Sequence, residues 1–371
     1  MFNPLNLLRK APEKPESFIA LDFGTTSTKA FIFSLDEKVQ LRGQGQGTPK
    51  EAVEQAVTQA GVKPQQAVVG IGGQNAWCLT TTVRFNRPEP EKKIEAAEIK
   101  KLNEQVFKTA LMQATPQMSQ FLGDLGLTLQ LIDSEVLYYK LDGKVYPPTN
   151  SPRGEIGRVL ESSIFTAYSP TTYLEQLSLT LKELDLNLWA VCSLMAILTK
   201  ALANNNPLDF NAIILDVGGR VTDVAVVFGG GIWGSRPLPL GGETFTLALT
   251  KHLGTDREEA EKKKIAFANH QLRDEEVLRI KEGIKPAVEL WSSGVESALS
   301  DFEGIKTFPR RLILTGGGAH LEELKEGLAT YPLMRTLPFT SPPLVEVRTD
   351  VGPWNMKLVA RDILSGEDNA T

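Results

Sequence analysis

An internal repeat constrains this chain more than any other feature of its sequence. Residues 20–30 (ALDFGTTSTKA) and 214–224 (ILDVGGRVTDV) each combine an apolar strand ending in Asp, a glycine-containing turn and a second apolar strand. Leu, Asp, Gly and Thr coincide at a constant offset of 194 residues, the difference between positions 214 and 20. Each segment continues into a third strand, over 39–43 and 232–238. The chain of 371 residues is therefore expected to contain two similar halves.

Both turns suit phosphate binding, because glycine lets the backbone approach an anion and point its N–H groups at it. An aspartate repels phosphate, but it can hold a hydrated Mg²⁺ that the phosphates share. Asp22 and Asp216 would frame a Mg–nucleotide through water if they face each other across a cleft; otherwise they cap unrelated hairpins. The candidate nucleotide-binding residues of the two turns are Gly24, Thr25, Thr26, Ser27, Lys29, Gly218, Gly219, Arg220 and Val221.

A third glycine cluster follows the apolar run 311–315. The pattern predicts a buried strand, the turn Gly316, Gly317 and Gly318, and then a helix over 321–329. Such glycines permit close contact with a nucleotide's base and α-phosphate beside a helix N-terminus. Three glycines alone often mark only a tight turn, so their weight comes from following the two hairpins.

Composition and the rare residues exclude several classes of function. The net charge of −5 argues against binding nucleic acid through bulk electrostatics. Cys78 and Cys192 lie in apolar runs and are predicted to be buried thiols, which suits a reducing cytoplasm. The three histidines are far apart in sequence, so a zinc site is not expected. No apolar run reaches the roughly 18 to 20 residues that span a bilayer.

The hairpin, hairpin and glycine-turn order resembles the actin-like ATPase superfamily, over residues 18–364. The resemblance implies an α/β, ribonuclease H-like duplicated fold with two domains around a nucleotide cleft. The Asp142-Gly143 turn and the Pro152-Arg153-Gly154 loop look like the inserted subdomain of the cell-division protein FtsA. PilM, a pilus-assembly protein, is a close competitor, because the segment 1–10 resembles PilM tails and the segment 241–264 looks like both families.

The same resemblance implies site residues and domain boundaries. Glu261 and Lys264 would lie beside the ribose and base, unless they belong to a solvated, charged helix face. The predicted units are an N-terminal tail (1–17), a first core (18–84 and 164–204), an inserted subdomain (85–163), a second core (205–248 and 309–345), a helical subdomain over the nucleotide (249–308), and a C-terminal helix and polar tail (346–371).

The predicted chemistry is weak hydrolysis at most. ATPases of this kind hold a water in line with the terminal phosphate, usually with Gln, Glu or His. The segment 190–203, where the superfamily often places that group, contains none of these residues and no Asp. Asp223 either positions water or stabilises its turn, and Arg220 either pairs with a phosphate or points outward. We therefore expect tight binding of ATP or ADP with Mg²⁺ and slow or absent turnover.

Three functions remain open from sequence. The first is an FtsA-type protein that self-associates into filaments and links the tubulin-like protein FtsZ to the membrane. The second is a PilM-like cytoplasmic adaptor that holds a pilus inner-membrane protein's peptide. The third is a phosphotransferase or chaperone ATPase. The expected location is the cytoplasm, peripheral to the membrane if residues 2–10 form a weak amphipathic anchor rather than a frayed tail.

Overall fold

The computed structural model describes residues 15–35, 39–203, 209–349 and 351. The amphipathic segment predicted over residues 2–10 lies outside the described residues, and so does the C-terminal part of the predicted unit 346–371.

The secondary structure alternates strands and helices, as an α/β protein requires. The strands are β1 (Ser17–Phe23), β2 (Thr28–Leu35), β3 (Val39–Gly47), β4 (Gln66–Ile71), β5 (Trp77–Asn86), β6 (Leu129–Leu141), β7 (Lys144–Tyr146), β8 (Val159–Pro170), β9 (Asn187–Ser193), β10 (Ala212–Val217), β11 (Thr222–Phe228), β12 (Gly231–Leu238), β13 (Arg311–Thr315) and β14 (Leu344–Val347). The helices are α1 (Pro49–Ala60), α2 (Ala96–Leu122), α3 (Thr171–Glu183), α4 (Leu194–Ala203), α5 (Gly242–Leu253), α6 (Arg257–Ala268), α7 (Asp274–Ser300) and α8 (Glu322–Thr330).

The repeat seen in the sequence is a repeat of sheet topology. The first sheet has the order β3-β2-β1-β4-β9, and the second contains the equivalent order β12-β11-β10-β13-β14. In both, the first three strands are antiparallel neighbours and the last three run parallel. The register also repeats, since Asp22 pairs with Lys29 and Asp216 pairs with Asp223. The duplicated α/β fold expected from the sequence is confirmed.

Helix α4 lies between the two sheets and joins their cores. Its Ile197 packs with Phe18 and Phe33 on one face of the first sheet. Its Met195 and Leu198 belong to a second cluster, together with residues of β10, β11 and β13. Because one helix contributes to both clusters, the start of α4 is held at the junction of the two halves.

Each sheet carries its remaining helices on the face away from α4. Helices α1 and α3 cover the first sheet, and α1 begins with a capping box formed by Thr48 and Glu51. Helices α5 to α8 cover the second sheet around the fully buried Trp291. The Trp291 indole N–H donates to Thr222 Oγ1 at 3.0 Å, which fixes α7 against the second hairpin.

The inserted unit is a sheet of β5, β8, β6 and β7 covered by α2. Asp142 and Gly143 both have positive φ, as the predicted hairpin turn between β6 and β7 requires. The Arg87 guanidinium clamps the neighbouring loop by donating to Glu98 and to the carbonyls of Pro90, Lys92 and Gly157.

Helix α2 runs through Pro116 to Leu122, because Ala114 and Met118 bury their side chains against Trp77 and its neighbours. The bounds predicted for the inserted unit, 85–163, differ from the strand pairing. Strands β5 and β8 pair along ten residues, and β5 joins the second sheet through Gly234 and Leu79. We therefore propose that the inserted unit runs from Trp77 to Pro170 rather than over 85–163.

Candidate functional site

The first predicted phosphate loop is the turn between β1 and β2. Gly24 opens it, and a Cβ at this position would lie 2.7 Å from the Ser27 carbonyl oxygen. Glycine is therefore required for the chain to turn this tightly. Thr25 and Thr26 are exposed at the tip, where their side chains meet the second loop.

The second loop is the equivalent turn between β10 and β11. The Gly218 N–H donates to the Val221 carbonyl at 2.9 Å and closes the turn. The Val221 side chain is buried, so its contribution to a ligand site is limited to its backbone. The carbonyls of Gly218 and Gly219 accept from the N–H groups of Gly242 and Glu243, which anchors the turn to the start of α5.

The structure brings the tips of the two loops into direct contact. The Arg220 N–H donates to Thr25 Oγ1 at 3.1 Å, although the residues are 195 positions apart. Gly219 packs so closely on Thr26 that a Cβ would overlap the threonine side chain. The two hairpins therefore meet across a shared cleft, in the closed arrangement that facing phosphate loops would adopt.

Asp22 and Asp216 lie near each other at the base of this contact and share one cation. Burial raises the pKa of Asp22 from 3.8 to about 6; Lys29 opposes this rise and the charge of Asp216 adds to it. Burial likewise raises the pKa of Asp216, against the attraction of Lys29. Both side chains are partly open to the cleft, and within the described residues neither carboxylate accepts a hydrogen bond.

This donor set fits a hydrated magnesium ion. Mg²⁺ prefers oxygen ligands and is usually held by one or two carboxylates, water and substrate phosphates. Two carboxylates with unengaged oxygens supply that pattern. Among the residues the structure describes, no group of three or more metal-binding side chains gathers at one point, so a fully protein-made metal cage is not present there.

Arg220 is engaged by a carboxylate. Its Nε lies 2.7 Å from Glu243 Oε2, and Arg257 Nη2 lies 2.6 Å from the other oxygen of Glu243. The Arg220 side chain is 58% exposed, so this ion pair is open to competition from another anion. Of the two alternatives predicted from sequence, phosphate contact would require Arg220 to leave Glu243.

Asp223 links the two halves. Its Oδ2 accepts from the N–H of Gly73 in the β4–β5 loop at 2.6 Å. Burial raises the pKa of Asp223 from 3.8 to about 7, and the charge of Asp216 adds to the rise. One oxygen of the carboxylate is thus used structurally. Sequence reasoning missed the Gly72-Gly73 turn as part of the site, and its two glycines are the one signal that could have marked it.

Glu261 and Lys264 lie on the inward face of α6. Lys264 Nζ lies 2.8 Å from Glu261 Oε2, 2.8 Å from Thr246 Oγ1 and 2.9 Å from the Gly242 carbonyl. The Thr246 hydroxyl also donates to Glu261. The outer face of α6 carries exposed pairs between lysines and glutamates four residues apart, so the solvated-face alternative holds for that side of the helix only.

The third glycine turn packs against the second hairpin. Gly316 has φ of +83°, and a Cβ there would overlap Asp216 Oδ1. Gly318 packs on Val217, whereas a Cβ at Gly317 would meet open space. Beyond this turn lies a cavity of about 460 Å³. It is lined by Ala268, His270, Ala319, His320, Glu322, Lys325, Glu326, Val347 and Thr349.

The comparisons with known proteins agree with this architecture. A family model described as Cell division protein FtsA matches residues 213–347, which include the second hairpin and the third glycine turn. FtsA of Bacillus subtilis (strain 168) is 22% identical over 370 residues, covering 90% of this chain and 80% of the relative. FtsA of Neisseria meningitidis serogroup B (strain ATCC BAA-335 / MC58) is 23% identical over 277 residues, covering 69% and 62%.

Among solved structures, the PilM–PilN type IV pilus biogenesis complex contains a similar chain. The TM-score is 0.60 at 16% identity, and the match covers 95% of this chain and 99% of that one. The chain is an actin-like protein, similar to FtsA. The superfamily and fold expected from the sequence are confirmed, while the roles of individual site residues stay predictions. None of the helices in the described ranges is long and apolar enough to cross a bilayer.

Proposed function

We propose that this chain binds ATP or ADP with Mg²⁺ in the cleft between its two hairpins. The observation that carries the proposal is the meeting of the two loops above Asp22, Asp216 and Lys29. Loop N–H groups and hydroxyls provide donors for phosphate, and the two carboxylates provide acceptors for metal-bound water. The contact between Thr25 and Arg220 would open to admit the phosphates.

The remaining predicted residues have positions that suit the nucleoside. Gly318 packs on Val217 of the second hairpin, Gly317 faces open space, and the next residues, Ala319 and His320, line the cavity of about 460 Å³. Lys264 and Glu261 approach the same hairpin from α6 through the Gly242 carbonyl and the Thr246 hydroxyl. We assign them to ribose and base recognition, with Thr246 as the residue that holds their relative position.

On this basis we infer an FtsA-type function, in which nucleotide binding controls a polymer or scaffold in bacterial division. The match to the FtsA family model and the similarity to two FtsA proteins support this choice. Closing of two lobes on one ligand changes the surfaces presented to a neighbour, and head-to-tail contacts between copies generate open filaments. The scaffold would connect an FtsZ-like protein to the inner face of the cytoplasmic membrane.

Binding is tested by titrating the chain with a fluorescent ATP analogue in the presence and absence of Mg²⁺. Asp216→Asn is expected to weaken Mg²⁺-dependent binding at least ~10-fold, because it removes one of two anionic partners of the hydrated metal. Asp274→Asn, which changes an exposed aspartate at the start of α7, serves as the matched control. Equal affinity of Asp216→Asn and wild type would contradict the site.

The scaffold function is tested by sedimentation with ATP, with ADP and without nucleotide, each with and without anionic lipid vesicles. Polymer in the pellet only with ATP, confirmed by electron microscopy, is the expected outcome. If the chain binds ATP but stays in the supernatant at every protein concentration, polymerisation is refuted and the nucleotide-binding proposal still stands.

A PilM-like adaptor is the second candidate. The nearly complete mutual coverage of this chain and the chain from the PilM–PilN complex favours it. In this case the chain would remain monomeric and hold a short peptide of a pilus inner-membrane protein in the groove beside the inserted unit. Peptide binding measured by fluorescence anisotropy, with no ATP-dependent pellet, would select this function over the first.

A further inference from the structure

The helix that should carry a water-orienting group lacks one. Helix α4 starts at Leu194, and its first ionisable side chain is Lys200, six residues further along. The start of α4 nevertheless lies at the site. In the parallel strands β1, β4 and β9, Asp22 is paired with Gly70, and Gly70 with Cys192.

The pairing of these three strands sets the distance between Cys192 and Asp22. Neighbouring strands are about 4.8 Å apart, so Cys192 lies about 10 Å from Asp22 across the sheet. Ser193 ends β9, and its Oγ accepts from the Ala196 N–H, which makes Ser193 the cap of α4. The N-terminus of α4 is therefore at the same edge of the sheet as Asp22, two strands away.

A carboxylate from the inserted unit reaches this point. Strand β6 has a bulge against β8 between Leu131 and Asp133. A bulge re-aims a side chain out of the regular alternation. Asp133 Oδ2 accepts from the Ser193 N–H at 3.2 Å, and two residues further Glu135 pairs with Lys200 at 3.1 Å. Strand β6 thus runs along α4 and places Asp133 at its first turn.

Two buried thiols next to the start of α4 feel the charge of Asp133 and of the cleft carboxylates. The Cys192 thiol is close enough to feel both Asp133 and Asp22, which add to the rise in its pKa caused by burial. The Cys78 thiol, whose pKa burial raises to about 12, feels both Asp223 and Asp133. Cys78 Sγ also lies 3.3 Å from Ser193 Oγ. The start of α4 links Asp133 to the cleft, because the Leu194 side chain lies against Gly72, in the turn whose Gly73 N–H donates to Asp223.

We propose that Asp133 orients the water that attacks the terminal phosphate, in place of the residue missing from α4. This inference rests on the proposed nucleotide site. In the step, the water oxygen forms a bond to the terminal phosphorus while one water proton passes to the Asp133 carboxylate. The bond from that phosphorus to the bridging oxygen breaks, and its electron pair leaves with ADP. Burial raises the pKa of Asp133, which suits a proton acceptor.

A purely structural function, holding the N–H of the cap residue Ser193, makes different predictions. Asp133→Asn keeps an oxygen that can accept from the Ser193 N–H, so it preserves this hydrogen bond but removes the base. Asp133→Glu keeps a carboxylate in a longer side chain. Glu135→Gln changes the neighbouring carboxylate on the same strand and serves as the control.

The test combines three measurements on the full chain: affinity for ADP, affinity for ADP with aluminium fluoride, and single-turnover ATP hydrolysis. We expect Asp133→Asn to keep the wild-type melting temperature and ADP affinity. It should lose at least ~10-fold in aluminium fluoride binding and at least ~100-fold in hydrolysis, the range for general-base catalysis. Asp133→Glu should retain part of the rate, and Glu135→Gln all of it.

Several results would overturn the assignment. If Asp133→Asn hydrolyses ATP within threefold of wild type, Asp133 only holds the start of α4 through the Ser193 N–H. If wild type binds ATP and shows no hydrolysis in a single turnover, Asp133 orients no water, although the proposed nucleotide site stands. If wild type binds no nucleotide, both proposals fail, and the ADP titration identifies that outcome directly.

Discussion

Replacing Asp223 with Asn is expected to change how the stability of the nucleotide-free chain depends on pH. The carboxylate faces Asp216 across the hairpin, Asp22 across the cleft and the N–H of Gly73, and Lys29 is the cation of the same cluster. Burial raises the pKa of Asp223 from 3.8 to about 7. Asn keeps an oxygen for the Gly73 N–H, so the substitution removes the charge and leaves the hydrogen bond.

Proton binding determines whether the stability of the chain rises or falls with pH. Between these two pKa values the folded chain holds a proton on Asp223 that the unfolded chain has lost, so stability falls as pH rises. The interval from 3.8 to about 7 corresponds to about 4 kcal/mol, at about 1.4 kcal/mol for each pH unit. The part between pH 5 and about 7 is about 3 kcal/mol, which for a chain of this length is roughly 4 °C in melting temperature.

The assay is thermal unfolding at pH 5 and pH 8 without nucleotide or Mg²⁺, followed by circular dichroism. Wild type should lose several degrees more than Asp223→Asn between the two pH values, and the variant should melt higher at pH 8. Asp274→Asn, in an exposed position, should behave as wild type. If the melting temperatures of wild type and Asp223→Asn change with pH in parallel, burial does not raise the pKa of Asp223.

Three further substitutions test the fold and the site. Arg87→Met should lower the free energy of unfolding by roughly 3 kcal/mol, because it leaves buried acceptors unpaired. Arg84→Met, which changes an exposed arginine of β5, should be near neutral, and chemical denaturation measures both variants. Gly316→Ala should destabilise the chain by about 1 kcal/mol or more and abolish nucleotide binding, because the φ of Gly316 is +83° and an added Cβ would overlap the Asp216 carboxylate. Gly317→Ala should do neither, because an added Cβ there would meet open space. Lys264→Met should weaken binding of a fluorescent ATP analogue at least ~10-fold, since it removes a cation that is only 11% exposed. Unchanged affinity would show that the nucleoside does not bind beside Lys264.

Local chemistry made much of the fold predictable. The hairpin strands, the Asp142-Gly143 turn and the strand before Gly316 all follow from short patterns of apolar residues and turn residues. The repeat then implied that both halves would share one strand order, and they do. Helix α2 continues past Pro116 because Met118 is buried, which no local pattern around the proline indicates.

The sequence by itself determined that two aspartate-ended, glycine-turned hairpins exist and that they are copies of one another. Only the tertiary structure decided what they touch. The pairs Arg220 with Thr25, Gly73 with Asp223, and Asp133 with Ser193 join residues that are 195, 150 and 60 positions apart. Secondary structure depends on neighbours within a few residues, and therefore a periodic pattern reveals it. A contact between distant segments depends on how whole sheets and helices pack, and no local pattern records that.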